Sequence, residues 1–295
     1  MTAQILDGRA LAKTMRSEIA TQVARFEQDH GWAPGIAVVQ VGADPASSWY
    51  VRQIKRNFSR VGIHFALHSL DEKTGASTFT SLLRKLNGDA HTNGIIVQKP
   101  LPQHLPQSLV SAALDPGRDV DGAHPLNAGT LFREMGDAFT PAPSGYRAFA
   151  PAAPAGGMEL LHRYGIDLKG KNAVIVGHSH VGRPMALLML LDGATITICH
   201  IFTNDLASHT RQGEVLVSAV GKAKLITADM IRPGAVVLDF GTSVVDGKLV
   251  GDVDTEAAKE VASYITPVPG GTGPMTTVML MANTVTAAKR QVAEG

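Results

Sequence analysis

One predicted helix carries a tyrosine hydroxyl together with several basic side chains. In the segment VGADPASSWYVRQIKR, Tyr50 and Ile54 are four residues apart and share a helix face, whereas Lys55 is rotated from that face by about 100°. A tyrosine can stack on a flat ring, but by itself it is more typical of the rim of a hydrophobic core. Tyr50 therefore indicates a binding site only if polar partners accompany it.

Two further segments supply such partners. Gln98 ends the apolar run GIIVQ, and Asp121 lies in the turn-rich segment RDVDGAHP. Polar groups at strand ends often point into a binding site, where a carboxylate can accept paired hydrogen bonds from an aminopyrimidine ring. The alternative for Asp121 is an Asx-turn in front of Gly122. His124 is more typical of a loop histidine than of a catalyst or a metal ligand.

A third segment has the composition of a phosphate-binding turn. The strand-like run NAVIVG leads into GHSHVGRP, with Gly177, Ser179, Gly182 and Pro184 where a helix should begin. Glycines let the chain approach a pyrophosphate closely, and the unpaired amides at a helix start favour its negative charge. The pattern is not G-x-G-x-x-G, so context must decide between a nucleotide site and an ordinary strand-to-helix turn.

A proline- and glycine-rich segment, TPVPGGTGPMT, runs from Thr266 to Thr276. Its small and rigid residues allow a flat ligand to approach the backbone. It also predicts a tight connection before the last helix, in which Pro274 is a suitable early residue.

These segments need a framework of strands and helices, which the hydrophobic pattern supplies. In the first half, helical periodicity from Leu11 to Phe26 is followed by the strand GIAVVQVG. Further helices are predicted at Ser47 to Val61 and Ala76 to Leu86, each followed by a strand, IHFALHSL and GIIVQ. This alternation predicts a parallel α/β layer.

The second half has the rhythm of a doubly wound nucleotide-binding domain. Its strand-like runs are NAVIVG, TITICH, EVLVSAV and AVVLDFG, and a final helix is predicted from about Met275 to Arg290. Between about Ala138 and Gly157 the chain is rich in proline, alanine and glycine without a sustained period, so we predict the domain crossing there. With 295 residues, two domains and a cleft between them are expected.

Composition excludes several classes of protein. The formal net charge is +1 and no basic run is interleaved with aromatics, which disfavours nucleic-acid binding. Cys199 is the only cysteine, so a disulfide within the chain and a thiolate metal cluster are excluded, and a cytoplasmic location is expected. The longest apolar stretch, near Met185 to Leu191, is too short to span a membrane.

In combination and in chain order, these motifs closely resemble the bifunctional methylenetetrahydrofolate dehydrogenase/cyclohydrolase family. The segments that carry the resemblance are VGADPAS with Tyr50, GIIVQKPLP, DVDGAHP, GHSHVGRP, LDFG, GDV and YITPVPGGTGPMT. The resemblance implies an N-terminal α/β folate-binding catalytic domain at residues 1–145 and a Rossmann-like NAD(P)-binding domain at 146–274. It implies a C-terminal helix at 275–295 that packs on the first domain, and a homodimer formed through the cofactor domains.

The resemblance also implies roles for individual residues. NADP or NAD is the implied cofactor, and a tetrahydrofolate derivative is the substrate. The implied catalytic group comprises Tyr50, Gln98, Asp121 and position 54; the folate site comprises Tyr50, Gln98, Asp121, Pro269, Gly273 and Pro274; the cofactor site comprises Gly177, His178, Ser179, Gly182, Arg183, His200 and Gly273.

The chain departs from the family pattern YVxxK at Ile54, which stands where the family has its catalytic lysine. An isoleucine cannot move protons or orient water, and Arg56 is a poor proton shuttle. Hydride transfer depends mainly on positioning, whereas hydrolysis of the methenyl product needs an activated water. We therefore expect a dehydrogenase with weak or absent cyclohydrolase activity. The alternatives are a complete bifunctional enzyme, in which Lys55, Lys99 or a water replaces the missing amine, and a catalytically silent folate-binding protein.

Two other departures concern the cofactor and the domain connection. The turn GHSHVGRP is one residue shorter than the family pattern, His178 stands where many relatives carry arginine, and Ile201 follows His200. Without a fixed positive charge there, we do not expect a strong preference for the 2′-phosphate of NADP. Extra sequence near Ser144 to Pro151 is expected to lengthen the connection between the domains.

Overall fold

The structure, a computed structural model, describes residues 2–134 and 148–294. Its helices are α1 (Gly8–His30), α2 (Pro45–Arg60), α3 (Ala76–Asn87), α4 (Gln107–Ala113), α5 (Pro125–Glu134), α6 (Ala152–Arg163), α7 (Gly182–Leu191), α8 (Leu206–Thr210), α9 (Thr255–Ala258) and α10 (Thr272–Glu294). Its strands are β1 (Gln4–Ile5), β2 (Gly35–Val41), β3 (His64–Leu70), β4 (Gly94–Val97), β5 (Asn172–Val176), β6 (Thr195–Cys199), β7 (Val215–Ser218), β8 (Val236–Asp239), β9 (Ser243–Val245), β10 (Lys248–Val250) and β11 (Tyr264–Ile265).

The chain divides into two compact units. The N-terminal unit comprises residues 14–134, 148–152 and 277–294, and the C-terminal unit comprises residues 2–13 and 153–276. The predicted boundaries, 1–145 and 146–274, follow the sequence order, whereas in the structure the first residues group with the C-terminal unit. The reason is β1, which is parallel to β11 and pairs Gln4 with Tyr264.

The N-terminal unit is built on a parallel sheet of three strands in the order β3-β2-β4. Every residue of the central strand β2 is buried, as expected for a parallel strand that is covered on both faces. One face of the sheet packs on apolar side chains of α3 and α4, including Phe79, Leu83 and Val110. The parallel α/β layer that the alternation predicts is confirmed.

The C-terminal unit is built on a parallel sheet of six strands in the order β1-β11-β8-β7-β5-β6. The β-branched runs of β5, β7 and β8 are buried because they lie in the middle of this sheet. β9 and β10 form a separate antiparallel hairpin. The predicted Rossmann-like doubly wound domain is confirmed.

Part of the predicted domain crossing is instead helical. The residues AAPAGG open α6, so the glycines belong to a helix and not to a linker. A Cβ at Gly156 would lie 2.8 Å from the Cβ of Met275, and one at Gly157 would lie 2.6 Å from the ring of Phe240. The glycines therefore permit close packing, which outweighs their low helix propensity. Residues 138–147, which belong to the predicted crossing and include the first part of the extra segment, lie outside the described residues.

None of the helices in the described ranges has both the length and the apolar composition that a membrane-spanning segment needs.

Candidate functional site

The carboxyl ends of β2 and β4 bring polar groups together in the N-terminal unit. Gln98 follows β4 directly, and its amide N–H donates to the carbonyl of Val39 at 2.8 Å. Its side-chain Nε2 donates to the carbonyl of Lys99 at 3.0 Å, and the Oγ of Ser47 donates to the same carbonyl at 2.8 Å. The start of α2 is thereby tied to the end of β4, where Gln98 is half-buried.

Helix α2 places Tyr50 at this edge. The helix begins after Asp44, whose carboxylate accepts the Ser47 N–H at 2.8 Å, and Pro45 occupies its first turn. Tyr50 is half-buried, while Ile54, one turn later, has 0 % of its surface exposed. Ile54 is therefore a core residue, and the side chain at this position brings no polar atom to the edge.

The carboxyl group of Asp121 has no hydrogen-bond donor within residues 2–134 and 148–294. Its pKa is raised to about 7, mainly by burial and also by the neighbouring carboxylate of Asp119, while the charge of Lys99 opposes the shift. A half-buried carboxyl group with unused acceptors and a raised pKa has the properties of a ligand-binding group.

The turn around Gly122 is held by Asp119, and not by the Asp121 side chain as in the Asx-turn alternative. Asp119 is buried, and its Oδ2 accepts the His124 N–H at 2.6 Å and the Asn127 Nδ2 at 3.0 Å. Burial raises the pKa of Asp119, and these hydrogen bonds lower it. Asp119 was missed in the sequence, although it lies only two residues before Asp121.

Tyr50 belongs to the same electrostatic neighbourhood. The pKa of its phenol is raised to about 12, mainly by burial and also by the charge of Asp121, while a hydrogen bond with Thr277 opposes the shift. The phenol is therefore neutral throughout the physiological range, which suits a side chain that stacks and donates one hydrogen bond.

Lys99 follows Gln98 directly, and strict alternation along a strand would place the two side chains on opposite sides. Strand β4 ends at Val97, so the alternation stops before these two residues. Lys99 lines one small cavity together with Asp121 and His124, and its charge lowers the pKa of Asp121. Lys55 and Arg56 of α2 are exposed.

His124 is engaged within its own loop, as the sequence suggests for a loop histidine. Its Nε2 lies 2.9 Å from the carbonyl of Ser111, and its Nδ1 accepts the Leu126 N–H at 3.0 Å. Both ring nitrogens are therefore occupied.

In the C-terminal unit, the turn between β5 and α7 is built for close approach. Gly177 has φ +109°, and a Cβ there would clash with the carbonyl oxygen of Ala219; a Cβ at Gly182 would clash with the carbonyl of Gly177. The Oγ of Ser179 accepts the N–H groups of Val181 and Gly182 at 3.3 and 3.5 Å. A turn with a closely packed glycine at each end that opens a ten-residue helix fits a pyrophosphate group.

Two histidine rings meet at this turn, one from the turn itself and one that follows β6. The rings of His178 and His200 are 5.7 Å apart in an edge-to-face arrangement, and His200 makes a similar contact with Phe202 at 5.8 Å. The Nδ1 of His200 accepts the Phe202 N–H at 3.0 Å, which leaves Nε2 for a ligand. Arg183 is exposed in the first turn of α7, and Ile201 is 80 % exposed.

The proline- and glycine-rich segment also ends in the C-terminal unit. Val268 and Pro269 are joined by a cis peptide bond, and Pro269 is exposed. Gly273 and Pro274 lie in the first turn of α10, and a Cβ at Gly273 would meet nothing within 4 Å. Pro274 is thus an early helix residue, as its sequence position predicts.

The predicted residues therefore fall into two groups. The first group lies at the carboxyl ends of the strands in the N-terminal unit and comprises Tyr50, Gln98 and Asp121. Lys99 lies beside this group, whereas Ile54 is buried in the core. The cofactor residues and the proline- and glycine-rich segment lie in the C-terminal unit. In the part of the chain that the structure describes, no three His, Cys, Asp or Glu side chains form a group that could hold a metal ion.

The fold and these groups define a class of protein: a two-domain α/β enzyme with a Rossmann-like nucleotide-binding domain and a second domain that presents a tyrosine and an unpaired carboxyl group. Comparison with known proteins identifies the family. Residues 6–121 match the catalytic domain of tetrahydrofolate dehydrogenase/cyclohydrolase, and residues 151–292 match its NAD(P)-binding domain. The chain belongs to the tetrahydrofolate dehydrogenase/cyclohydrolase family.

Full-length relatives agree with this assignment. The chain is 50 % identical over 291 residues to the bifunctional protein FolD of Herpetosiphon aurantiacus, covering 98 % of both chains. It is 48 % identical over 295 residues to the FolD protein of a Roseiflexus species, covering 99 % of both chains.

Solved structures agree as well. The bifunctional FolD enzyme of Campylobacter jejuni has a TM-score of 0.91 at 40 % identity, covering 98 % of this chain and 99 % of that one. The Trypanosoma brucei FolD enzyme, complexed with NADP and an inhibitor, has a TM-score of 0.90 at 33 % identity, covering 99 % of both chains. The chain is an NAD(P)-dependent enzyme that acts on a tetrahydrofolate derivative.

Proposed function

We propose that this enzyme oxidises methylenetetrahydrofolate to methenyltetrahydrofolate and hydrolyses the methenyl product only weakly. The observation that carries the proposal is the combination of an unpaired Asp121 carboxyl group with a fully buried Ile54. The first group can bind the folate, while the second cannot assist hydrolysis.

Folate binding in this proposal depends on Asp121 and Tyr50. An ionised Asp121 can accept two hydrogen bonds from the aminopyrimidine edge of the pterin, and binding such a donor lowers the free-energy cost of its burial. Tyr50, whose phenol is affected by the charge of Asp121, offers a neutral ring for stacking. Gln98 supplies an amide that can donate and accept at the same edge.

The oxidation step requires orientation more than proton movement. The nicotinamide ring, when bound, supplies the hydride acceptor. The proposed cofactor residues are Gly177, Ser179 and Gly182 for the pyrophosphate, with His178 and His200 beside the adenosine half. Holding donor and acceptor in a reactive geometry lowers the barrier without an acid or a base, so the loss of one amine need not affect this step.

Hydrolysis needs a group that activates water and transfers protons. Ile54 cannot do this, and the neighbouring cations Lys55 and Arg56 are exposed on other faces of α2. The proposed consequence is an enzyme that forms methenyltetrahydrofolate faster than it consumes it.

The test compares wild type, Ile54→Lys and the matched control Ile54→Met. Nicotinamide reduction and the decay of methenyl absorbance are followed together, with spontaneous hydrolysis subtracted. We expect slow decay in wild type and Ile54→Met and faster decay in Ile54→Lys, because burial can lower the pKa of the new amine into a useful range. Rapid enzyme-dependent decay in wild type would contradict the proposal. Absence of nicotinamide reduction would indicate a silent folate-binding protein.

One observation favours a second candidate, the complete bifunctional enzyme. Lys99 lines the same cavity as Asp121 and its charge acts on that carboxyl group, so an amine is available at the site although not from position 54. Under this alternative, wild type hydrolyses the methenyl compound rapidly and Lys99→Met loses most of that activity. Under the leading proposal, Lys99→Met leaves an already slow hydrolysis unchanged.

We also infer a homodimer formed through the C-terminal unit. Strand β6 is at the end of its sheet, and no strand of the described chain pairs with its outer edge. Exposed apolar side chains surround it: Ile198 on the strand, Leu190 and Leu191 on α7, and Phe202 after the strand. An open edge beside an apolar patch favours pairing with a second copy.

Sedimentation velocity at micromolar concentration tests this assembly. We expect Ile198→Lys to shift the protein towards monomer, and the matched variant Leu67→Lys, on the exposed part of the N-terminal sheet, to leave the assembly unchanged. A dimer that persists in Ile198→Lys would refute the proposed interface.

A further inference from the structure

Two carboxyl groups are completely buried in the C-terminal unit and have no role in the chemistry above. Asp239 ends β8 and Asp252 follows β10, and both have 0 % of their surface exposed. Burying a carboxylate is costly unless hydrogen bonds compensate for the lost water. The partners of these two groups therefore show what they hold in place.

Asp252 holds the loop that follows β7. Its Oδ2 accepts the N–H groups of Val220 and Gly221 at 2.7 and 3.2 Å and the hydroxyl of Ser218 at 3.1 Å. Its Oδ1 accepts the N–H of Lys222 at 2.8 Å. Three successive amides thus converge on one carboxylate, an arrangement that only an acceptor-only side chain can satisfy.

Asp239 in turn fixes the backbone that carries Asp252. Its Oδ1 accepts the Asp252 N–H at 3.1 Å and the Gly241 N–H at 2.7 Å, and its Oδ2 accepts the Val253 N–H at 2.8 Å. The pKa of Asp239 is raised to about 6, mainly by burial and to a lesser extent by the charge of Asp252, while the three N–H groups oppose the shift. A Cβ at Gly241 would clash with the Asp252 carboxylate, so the space around the pair is filled.

The loop held by Asp252 supports the glycine turn. The N–H of Ala219 donates to the carbonyl of Val176 at 2.8 Å, and the Oγ of Ser179 donates to the carbonyl of Ala219 at 3.3 Å. The same carbonyl occupies the space that a Cβ on Gly177 would need. A shift of the loop therefore displaces the turn directly, because no gap separates them.

We propose that Asp252, held by Asp239, is a positioning residue for the nicotinamide cofactor: it fixes residues 219–222 against the turn Gly177–Gly182 and thereby sets cofactor affinity. This inference rests on the proposed role of that turn in binding the pyrophosphate. It assigns no contact between Asp252 and the cofactor. Its effect passes through the backbone of the loop.

The test is Asp252→Asn, which keeps the shape of the side chain but replaces one acceptor oxygen with an NH₂ group that faces N–H donors. We expect the Kd for NADP and for NAD, measured by calorimetry, to rise about 10- to 100-fold, as expected when a binding element is displaced by a fraction of an ångström to about 1 Å. The KM for the cofactor should rise in parallel, with kcat reduced much less. The affinity for a folate analogue should not change.

Hydrogen exchange provides a readout that is independent of activity. In wild type without ligand, the amides of Val220, Gly221 and Lys222 should exchange slowly, because each donates to the Asp252 carboxylate. In Asp252→Asn they should exchange much faster, and the amides of β5 should remain protected.

Two companion variants control for folding. Asp254→Asn makes the same change two residues later, where the carboxylate pairs with the exposed Lys224 at 3.3 Å, and should leave cofactor affinity unchanged. Ser218→Ala removes one of the four donors to Asp252 and should weaken cofactor binding about two- to fivefold, as expected for the loss of one hydrogen bond. If Asp252→Asn does not fold, Ser218→Ala carries the test, and unchanged affinity in this variant would overturn the inference.

The outcomes separate the inference from the proposed function. Equal cofactor Kd values in wild type and a folded Asp252→Asn would refute the positioning role and leave the assignment of the turn intact. A wild-type protein that binds neither nucleotide would refute both.

Discussion

Replacing Asp121 with asparagine should stabilise the free protein and weaken its binding of folate. The raised pKa of Asp121 is the reason for the first effect. A carboxyl group whose pKa is higher in the folded than in the unfolded chain is more protonated in the folded state, so the free energy of unfolding falls as pH rises through that window. For Asp121 the window extends from about pH 4, its ordinary range, to about pH 7.

The magnitude follows from the size of the shift. An increase from 3.8 to about 7 is roughly three pKa units at about 1.4 kcal/mol each, or ~4 kcal/mol for the ionised group. Because the side chain is only half-buried, solvent screening reduces this figure, and we expect about 2 kcal/mol. Asparagine has the same shape and no charge. Asp121→Asn should therefore exceed wild type by about 2 kcal/mol at pH 8 and match it at pH 4.

Denaturant unfolding of both proteins at pH 4, 6 and 8 measures this difference. Calorimetric titration with folate should show the opposite effect, a loss of about 1.5 to 3 kcal/mol in binding, because an amide cannot accept two hydrogen bonds from the pterin edge. Asp29→Asn, an exposed control on α1, should change neither quantity by more than about 0.5 kcal/mol. If the difference in free energy of unfolding between wild type and Asp121→Asn stays constant from pH 4 to 8, this reasoning is refuted.

Three further predictions concern the cofactor and Tyr50. NAD should be used at least comparably to NADP, because His178 and Ile201 provide no permanent charge for the 2′-phosphate; a large ratio of kcat/KM in favour of NADP near neutral pH would contradict this. Gly177→Ala should weaken cofactor binding at least tenfold, since its φ is +109° and a Cβ would meet the Ala219 carbonyl, while calorimetry should show unchanged folate affinity. Tyr50→Phe should keep most of the dehydrogenase kcat and the same profile from pH 6 to 9, because the pKa of the phenol is about 12 and the ring is retained; loss of an alkaline limb would contradict this.

The sequence predicts the central elements of the fold well, because their signals are strong. The runs of β2, β5, β7 and β8 are mostly apolar and rich in β-branched residues, which is typical of strands in the middle of a parallel sheet. The short strands β1 and β11, with two residues each, contain too few residues to show a period of two. The placement of the first residues in the C-terminal unit follows from this pairing and could not be predicted locally.

The sequence predicts which types of residue form the candidate site, but it does not predict the electrostatic interactions and hydrogen bonds between them. Side-chain chemistry and the family resemblance predict Tyr50 and Asp121 as site residues. The influence of Lys99 on Asp121 depends on where β4 ends, because side chains alternate only within the strand and the strand stops at Val97. The turn function of Asp119 depends on the path of the chain after β4, which the spacing of two aspartates does not determine.

The contributions of positions 54 and 121 to the stability of the free protein help to choose between the alternative functions. Ile54 is the favourable choice for a fully buried position, since burying an isoleucine contributes about 1.5 to 3 kcal/mol and burying an amine is unfavourable. Asp121 is the opposite, because its ionised form destabilises the free protein. If these two positions served only to stabilise the core, an uncharged residue at each of them would give the larger free energy of unfolding.

The chain has the stabilising residue at only one of them, and it also has the constrained glycines of a nucleotide-binding turn. Gly177 and Gly182 leave no room for a Cβ, and a protein that only bound folate would need no such turn. The proposed folate binding explains the unfavourable carboxyl group, and the proposed cofactor site explains the turn. Under this proposal, the absence of an amine at position 54 affects neither folate binding nor cofactor binding. Together these features favour the dehydrogenase over a silent folate-binding protein, and they make hydrolysis the reaction that depends on whether Lys99 can replace the missing amine.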